Sequence, residues 1–545
     1  MLLKPLDFWK KRPELSRILL LAAIFFSLTL VLALNRYYSL YATFDQGLFN
    51  QLFWNSIHGR LFQGSLSSVQ SSAFIYDGQL PSASYYHLGQ HFVIDFLLWL
   101  PIYALFPSPV TLVVLQVALI AAGGLILYAL ARHYLSPPLA ALITASFYAA
   151  NTVIGPTLGN FYEHCQLPLF VFGLLLALEK RRWWLFWILV ALTLGVREEA
   201  GIILFGIGIY LLVSRRYPRL GLALCAISFS YVVVVTNVIM PMFSNDNSRL
   251  YLATYFKKFV KSQNPTTLEL LWGMVSQPSL VIEVFFSHFD GRWRYFLNHW
   301  LPLGFLPAIS PAAWTMAGFP LIVLFVQIGN SGAFSPNTRY ALTIVPGLFY
   351  GAILWWSQHS EKFKPRFRRF WSWCIALSLF FTITSNPHQS LFFLVPYSIQ
   401  PWVYVSWNQR WEHVGHLQAA MKSIPPDASV STTTYVIPHL SSRREIIRLP
   451  VLQLRNEQGK IIDVDYALVD MWLLQQHKFV SDIDRDRLKA AVPVIDQVLE
   501  QGKYGMLDVE DGVLLLHKGV PSEPKAKSDW LKLREELQPV LQSPR

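Results

Sequence analysis

Apolar runs long enough to cross a bilayer recur along the chain, separated by short connections rich in Arg and Lys. The first, Ile18 to Leu34, meets the roughly 17–25 residues that a membrane-spanning helix needs. Ten more candidate spans follow at 109–131, 137–153, 166–179, 184–196, 200–214, 219–241, 299–310, 313–329, 340–357 and 370–385. Lys4, Lys10, Lys11, Arg12 and Arg17 precede the first run, as they would in a signal peptide. Its length, and the lack of a small-residue cleavage site after it, favour a retained helix.

The basic residues test this count. Arg132 with His133, Lys180 to Arg182, Arg215 with Arg216 and Arg219, and the cluster Lys362 to Arg369 all follow or precede apolar runs. With eleven spans and a cytoplasmic N-terminus, every cluster falls on the cytoplasmic side, where Lys and Arg accumulate. The first loop (36–108), the connection at 154–165 and everything after about 386 then face outward. The apolar segment 90–106 would reverse every later cluster if it crossed the membrane, so it is expected to lie against the surface.

From about 408 the pattern changes. Short apolar stretches at 428–433, 443–449, 464–469 and 511–517, bounded by turn residues, predict strands. Leu488, Val492, Ile495 and Val498 mark an amphipathic helix over 483–501. The expected organisation is a multi-pass helical membrane domain over 1–407, a soluble α/β domain on the outer face over 408–518, and a polar tail over 519–545. No internal repeat is visible.

Composition agrees with this picture. The 545 residues are 53% hydrophobic and 14% charged, against about 25% charged in soluble domains. The net charge of +12 follows the topology rule and so argues against a nucleic-acid partner. Cys165, Cys225 and Cys374 are widely spaced in or beside apolar stretches and form no metal or disulfide framework.

Ionisable residues near membrane depth are costly and therefore informative. On the outward side stand Asp45; His87, His91 and Asp95; Glu163 and His164; Arg197, Glu198 and Glu199; and Arg339 with Tyr340. Each also has a structural reading. Asp45 would serve as an N-cap for a helix starting at Gln46. His87, His91 and Asp95 at i, i+4 and i+8 would share one helix face. That face suits either a divalent metal ion or plain interfacial hydrogen bonding. The H-E-x-x-H pattern is absent. Arg197 would pair with Glu198 or Glu199, and Arg339 and Tyr340 would anchor the interface. Together these residues would line a polar pocket at the membrane surface, with a carboxylate as general base and an Arg facing a phosphate.

The stretches "YYSLYATFDQGLFNQLFWNSIHGRLF", "HFVIDFLLWLPIYALF", "NFYEHCQLPLFVFGLLLA", "LTLGVREEAGIILFGIGIYL", "NTRYALTIVPGLF" and "IPPDASVSTTTYVIPHLSSRREIIRLP" resemble the DUF2079 family of membrane proteins. The layout also resembles GT-C glycosyltransferases, which take a sugar from a polyprenyl-phosphate carrier. The resemblance implies a polyprenyl-phosphate-linked sugar donor, a glycan, protein or lipid acceptor, and a place in the cell membrane among its lipids. Asp45 then corresponds to the first-loop acid that serves as base, or as metal or acceptor contact. Glu163 corresponds to a second acidic residue, and His91 to the histidine opening the "HF…P-Y" stretch. His164 follows Glu163, where a histidine-then-acid order is expected, and this departs from the pattern. Arg197, Arg292, Arg294 and Arg339 are candidate phosphate contacts. A transporter or flippase of a lipid-linked or polar substrate is a competing reading, and so is a non-catalytic envelope-assembly protein.

Overall fold

The structure is a computed structural model that describes residues 13–542. Lys4, Lys10, Lys11 and Arg12 lie outside the described residues. The chain is mostly helical and divides into two compact units. One comprises the chain up to Leu34, Leu88–Pro101 and Leu112–His388; the other comprises Asn35–His87, Ile102–Thr111 and Gln389–Arg545.

Among the described residues, three helices are long and apolar enough to cross a membrane: Glu14–Tyr38, Pro109–Tyr134 and Pro218–Met242. Two bent pairs raise this to as many as five. Pro137–Ala149 and Asn151–Leu158 meet at 43°, around Ala150 with its extended backbone. Thr267–Ser276 and Pro278–Phe286 meet at 94°, where Gln277 leaves the helical region ahead of a proline. The helices at Trp183–Val196 and Ala200–Val213 have 14 residues each. At 1.5 Å per residue they reach only about 21 Å. No continuous helix covers 299–310, contrary to expectation. Gly304 and Phe305 both adopt left-handed backbone, which ends the helix after Trp300 and a single tight turn.

Small residues let the helices of this unit approach closely. A Cβ on Gly206 would lie 2.4 Å from the Met316 carbonyl oxygen, and one on Gly351 would lie 2.5 Å from the Ala313 backbone. Helix Ala200–Val213 thereby packs on Pro311–Phe325, which packs in turn on Ala341–Gln358. These contacts hold together the helix ends that carry the polar connections.

The second unit is built on a five-stranded sheet. Its strands are β1 (Val430–Thr432), β2 (Ile446–Arg448), β3 (Tyr466–Asp470), β4 (Tyr504–Glu510) and β5 (Val513–Lys518). The order is β2-β1-β3-β5-β4, with β1 parallel to β2 and β3, and β5 antiparallel to β3 and β4. Helix Asp482–Glu500 buries Leu488, Val492 and Ile495 in the core, as their spacing predicts. The polar segment after 519 is also structured. It forms helix Pro524–Leu541 and sends Trp530, Leu537 and Val540 into the same core.

The first-loop helix Phe44–Ile57 belongs to this unit as well. Its Gly47 meets Ile437 so closely that a Cβ there would lie 2.5 Å from the isoleucine side chain. Gln51 Nε2 donates to the Arg443 and Arg444 carbonyls at 3.2 and 3.0 Å. The Asn50 amide accepts from the Tyr103 hydroxyl at 2.6 Å.

Candidate functional site

The polar centre of the first unit starts from the break between helices Trp183–Val196 and Ala200–Val213. Arg197 ends the first helix in fully extended backbone (φ −170, ψ 157), and its buried guanidinium gathers three carboxylates. Nη1 donates to Glu163 at 2.7 Å, and Nε lies 3.4 Å from Glu198 and 3.6 Å from Glu199. His91 Nδ1 contacts Glu198 at 2.9 Å, and the Phe92 amide donates to the other oxygen of that carboxylate. His164 bridges Glu163 at 3.2 Å and Glu199 at 2.9 Å.

These buried charges are tolerable because they are paired. Burial pushes the Glu163 carboxyl up, but Arg197, followed by His164 and Arg339, outweighs it and holds the group well below the usual carboxylate range. Burial likewise opposes ionisation of Glu198 and Glu199. The charges of His91 and Arg197 on one, and of Arg197 and His164 on the other, leave both lowered. Arg197 is held firmly cationic: burial disfavours its charge, and the surrounding carboxylates more than restore it.

Beside this network lies a cavity of about 330 Å³ lined by His91, Arg197, Tyr162, Tyr251, Tyr255, Arg339, Tyr340 and His388, among others. The Arg339 guanidinium stands over the Tyr162 ring at 4.2 Å and the Tyr340 ring at 4.7 Å. One of its Nη atoms reaches the Tyr340 hydroxyl at 3.1 Å, while its buried Nε has no hydrogen-bond partner among the described residues. A slot of only about 20 Å³ shares Tyr251 and Tyr340 with the cavity and is lined also by Glu199, Gln327 and Thr343 and by the apolar Ile202, Ile203, Pro320, Val323 and Leu324. One guanidinium against aromatic walls can receive an anionic group.

The model of the family described as "Predicted membrane protein (DUF2079)" matches residues 36–515. The chain belongs to this DUF2079 family. Among solved structures, the chain is similar to ArnT from Cupriavidus metallidurans bound to undecaprenyl phosphate. That likeness has 11% identity and a TM-score of 0.46, and covers 92% of this chain and 99% of the other. It is also similar to the archaeal oligosaccharyltransferase AglB from Archaeoglobus fulgidus in complex with an inhibitory peptide and a dolichol-phosphate. There the identity is 14% and the TM-score 0.42, with 91% and 73% of the two chains covered. A second Archaeoglobus fulgidus oligosaccharyltransferase structure, a complex with Zn and sulfate, gives 11%, 0.42 and the same coverage. No curated protein matches the chain.

The DUF2079 chain brings together Glu163, His164, Arg197, Glu198, Glu199 and His91, with Arg339 and Tyr340 at the adjoining cavity. Arg292 lies elsewhere. It donates to the Ser287 and Phe325 carbonyls and stands 5.4 and 5.6 Å from the Phe325 and Phe334 rings, which leaves it a structural role. Arg294 is exposed on the same helix.

His87, His91 and Asp95 do not share a helix face. Only His87–Gly89 forms a helical turn, and the next helix begins at Phe96. Asp95 is buried, and its amide donates to the Gly195 carbonyl at 3.1 Å. Burial raises its carboxyl to about 7. Among the described residues, no group of His, Cys, Asp and Glu is placed to hold a metal ion. At the carboxylate cluster the Arg197 guanidinium occupies the place a cation would take, so these residues do not fit a divalent metal.

Asp45 and His87 belong to the second unit. His87 is buried, with Nδ1 at 3.0 Å from the Ser67 hydroxyl. The helix carrying Asp45 starts at Phe44 with Thr43 as N-cap, so Asp45 sits in the first turn and not at the cap. The positive end of the helix favours its negative charge there. Arg448 is close enough to feel the Asp45 charge, and its guanidinium stands 4.6 Å from the Phe44 ring.

His388 was not singled out by the sequence. Its backbone is left-handed (φ 56), as are those of Asn386 and Gln389, and Nε2 contacts the Asn337 carbonyl at 2.8 Å. A run of non-glycine residues at positive φ beside a cavity is a strained turn of the kind functional sites hold. The "SNPHQS" stretch, with its Asn-Pro turn signal, was the only trace of it in the sequence.

Proposed function

We propose that this DUF2079 protein is a membrane glycosyltransferase of the GT-C type, taking a sugar from a polyprenyl-phosphate-linked donor on the outer face of the cell membrane. The observation that carries this reading is the cavity lined by Arg339 and the rings of Tyr162, Tyr251, Tyr255 and Tyr340. A guanidinium fork recognises a phosphate, and the tyrosine rings offer stacking faces for a sugar. The reading includes eleven spans, a cytoplasmic N-terminus and an outward C-terminal α/β domain.

In the proposed reaction the acceptor hydroxyl attacks the anomeric carbon of the donor. The bond from that carbon to the phosphate oxygen breaks, and its electron pair leaves with the polyprenyl phosphate. The hydroxyl proton passes to a carboxylate, which we assign to Asp45 on the family resemblance. Arg339 offsets the charge that grows on the departing phosphate. Glu163 acts by fixing Arg197, and no metal ion enters the scheme.

Native mass spectra of the protein in nanodiscs of its host's lipid test this. Bound polyprenyl phosphate is expected in the wild type. The glycosylated carrier should accumulate on Asp45→Asn, which cannot take the proton. Bulk phospholipid alone on both proteins would overturn the reading in favour of a transporter or assembly role.

A further inference from the structure

We infer that the outer face of helix Pro365–Thr384 binds one anionic phospholipid, its phosphate held by Arg368 and Arg369. This goes beyond the glycosyl-transfer reading and does not depend on it.

The inner face of the helix fixes which side chains are left outside. Trp371 is fully buried, with its ring stacked on Trp356 at 5.8 Å. Its Nε1 lies 2.8 Å from the Pro302 carbonyl and 3.0 Å from the Ser146 hydroxyl. Two turns further on, the Ser378 hydroxyl donates to the Ala149 carbonyl at 2.9 Å. With Cys374 and Thr382 these residues form one buried stripe, so the helix cannot turn about its axis without losing those partners. The opposite stripe carries an open groove of about 520 Å³, lined by Pro365, Arg368, Arg369, Ser372, Trp373 and Ala376.

Charge identifies the occupant. Both guanidiniums are exposed, and neither makes an ion pair among the described residues. The helix contains no Asp or Glu, and Glu361 is the single acid of residues 361–369, against five Lys or Arg. A phosphodiester matches two guanidinium forks. The ammonium of a zwitterionic head group would meet the same cations with no carboxylate on this face to offset them. A second copy of the chain is disfavoured in the same way, because two such faces would bring four guanidiniums together.

Length agrees with charge. After Arg369 the helix carries no charged residue. At helical spacing the groove's face continues through Phe380 and Ile383, and both are exposed. From Arg368 to Ile383 the helix rises about 22 Å, close to half of the roughly 40–45 Å of a bilayer with its head groups. A phosphate at the arginines therefore lays its acyl chains along these apolar side chains. Trp373, 75% exposed, stands one turn from Arg369, at the level where tryptophans gather in membrane proteins, and its indole N–H can donate to an ester oxygen.

The test titrates phosphatidylglycerol and phosphatidylethanolamine separately against the full chain in a neutral detergent, with bound lipid read from native mass spectra. One phosphatidylglycerol should be held at least about tenfold more tightly than phosphatidylethanolamine. Arg368→Gln/Arg369→Gln should bring the two lipids to the same affinity. Lys364→Gln/Arg366→Gln removes the same charge from outside the groove and should keep most of the preference. All four side chains are exposed, so folding should be unaffected, and the wild-type comparison needs no variant. Equal affinity of the wild type for the two lipids would overturn the inference. Equal loss of preference in both double variants would overturn it in favour of diffuse attraction to a basic surface. A wild-type dimer that Trp373→Ala returns to monomer would overturn it in favour of a second copy.

Discussion

Arg197 and Asp95 show what burial does to charge when partners are present and when they are not. Three carboxylates surround Arg197 and stay ionised. Removing one member of such a buried set typically costs about 3–5 kcal/mol. Asp95 has a backbone contact but, among the described residues, no cation beside it, so desolvation decides and lifts it to about 7. The consequence for stability has a definite sign. Near pH 3 Asp95 is protonated folded or unfolded. Between about 4 and 7 the unfolded chain loses that proton while the folded one keeps it, so stability falls as pH rises, and the full loss persists above 7. Asp95→Asn should abolish this slope and raise the thermal midpoint at pH 8 but not at pH 4, read by thermal unfolding in detergent. Glu163 runs the other way: its stabilisation is present above its ordinary 4.5 and is lost only as pH falls through its lower folded value. The sequence suggested that Arg197 pairs with a neighbouring glutamate. It placed Glu163, His164 and His91 on the same outward face but did not say that they share the Arg197 network, because separation along the chain does not say which side chains meet.

Elements were legible where packing agreed with pattern. The long apolar helices and the amphipathic helix Asp482–Glu500 follow from spacing alone. The supposed helix through His87, His91 and Asp95 fails for a physical reason. The amides of Phe92 and Asp95 donate to Glu198 and to the Gly195 carbonyl, so tertiary partners replace the helical ones. Helix Pro524–Leu541 was hidden because few apolar residues among many charges still suffice to anchor a helix through Trp530. Close helix contacts carry a prediction of their own. Gly351→Leu must push Ala313 away across a gap that a single Cβ already overfills. Overpacking of this kind costs about 1–3 kcal/mol or more. The variant should show reduced yield and an earlier thermal midpoint, whereas Gly318→Leu, where a Cβ meets nothing within 4 Å, should behave like wild type in size-exclusion and unfolding profiles.

At the scale of the whole molecule, the proposed orientation can be read with cysteine labelling, since Cys165, Cys225 and Cys374 are buried. Gln458→Cys, in an exposed turn of the C-terminal region, should react with a membrane-impermeant maleimide in intact cells. Glu361→Cys, exposed beside the Lys362 to Arg369 cluster, should react only after lysis; the reverse pattern would invert the topology. By itself the sequence determined that this is a membrane protein with a sheet-containing C-terminal region, and it pointed to the family. Those features depend on hydrophobic length, period and composition, which are properties of the chain read in order. Only the tertiary structure decided which carboxylates share Arg197, that Arg339 lines the cavity while Arg292 ties down backbone, and that His388 lines the same cavity. Each of those depends on segments distant in sequence being packed together, and on burial that sets which charges must pair.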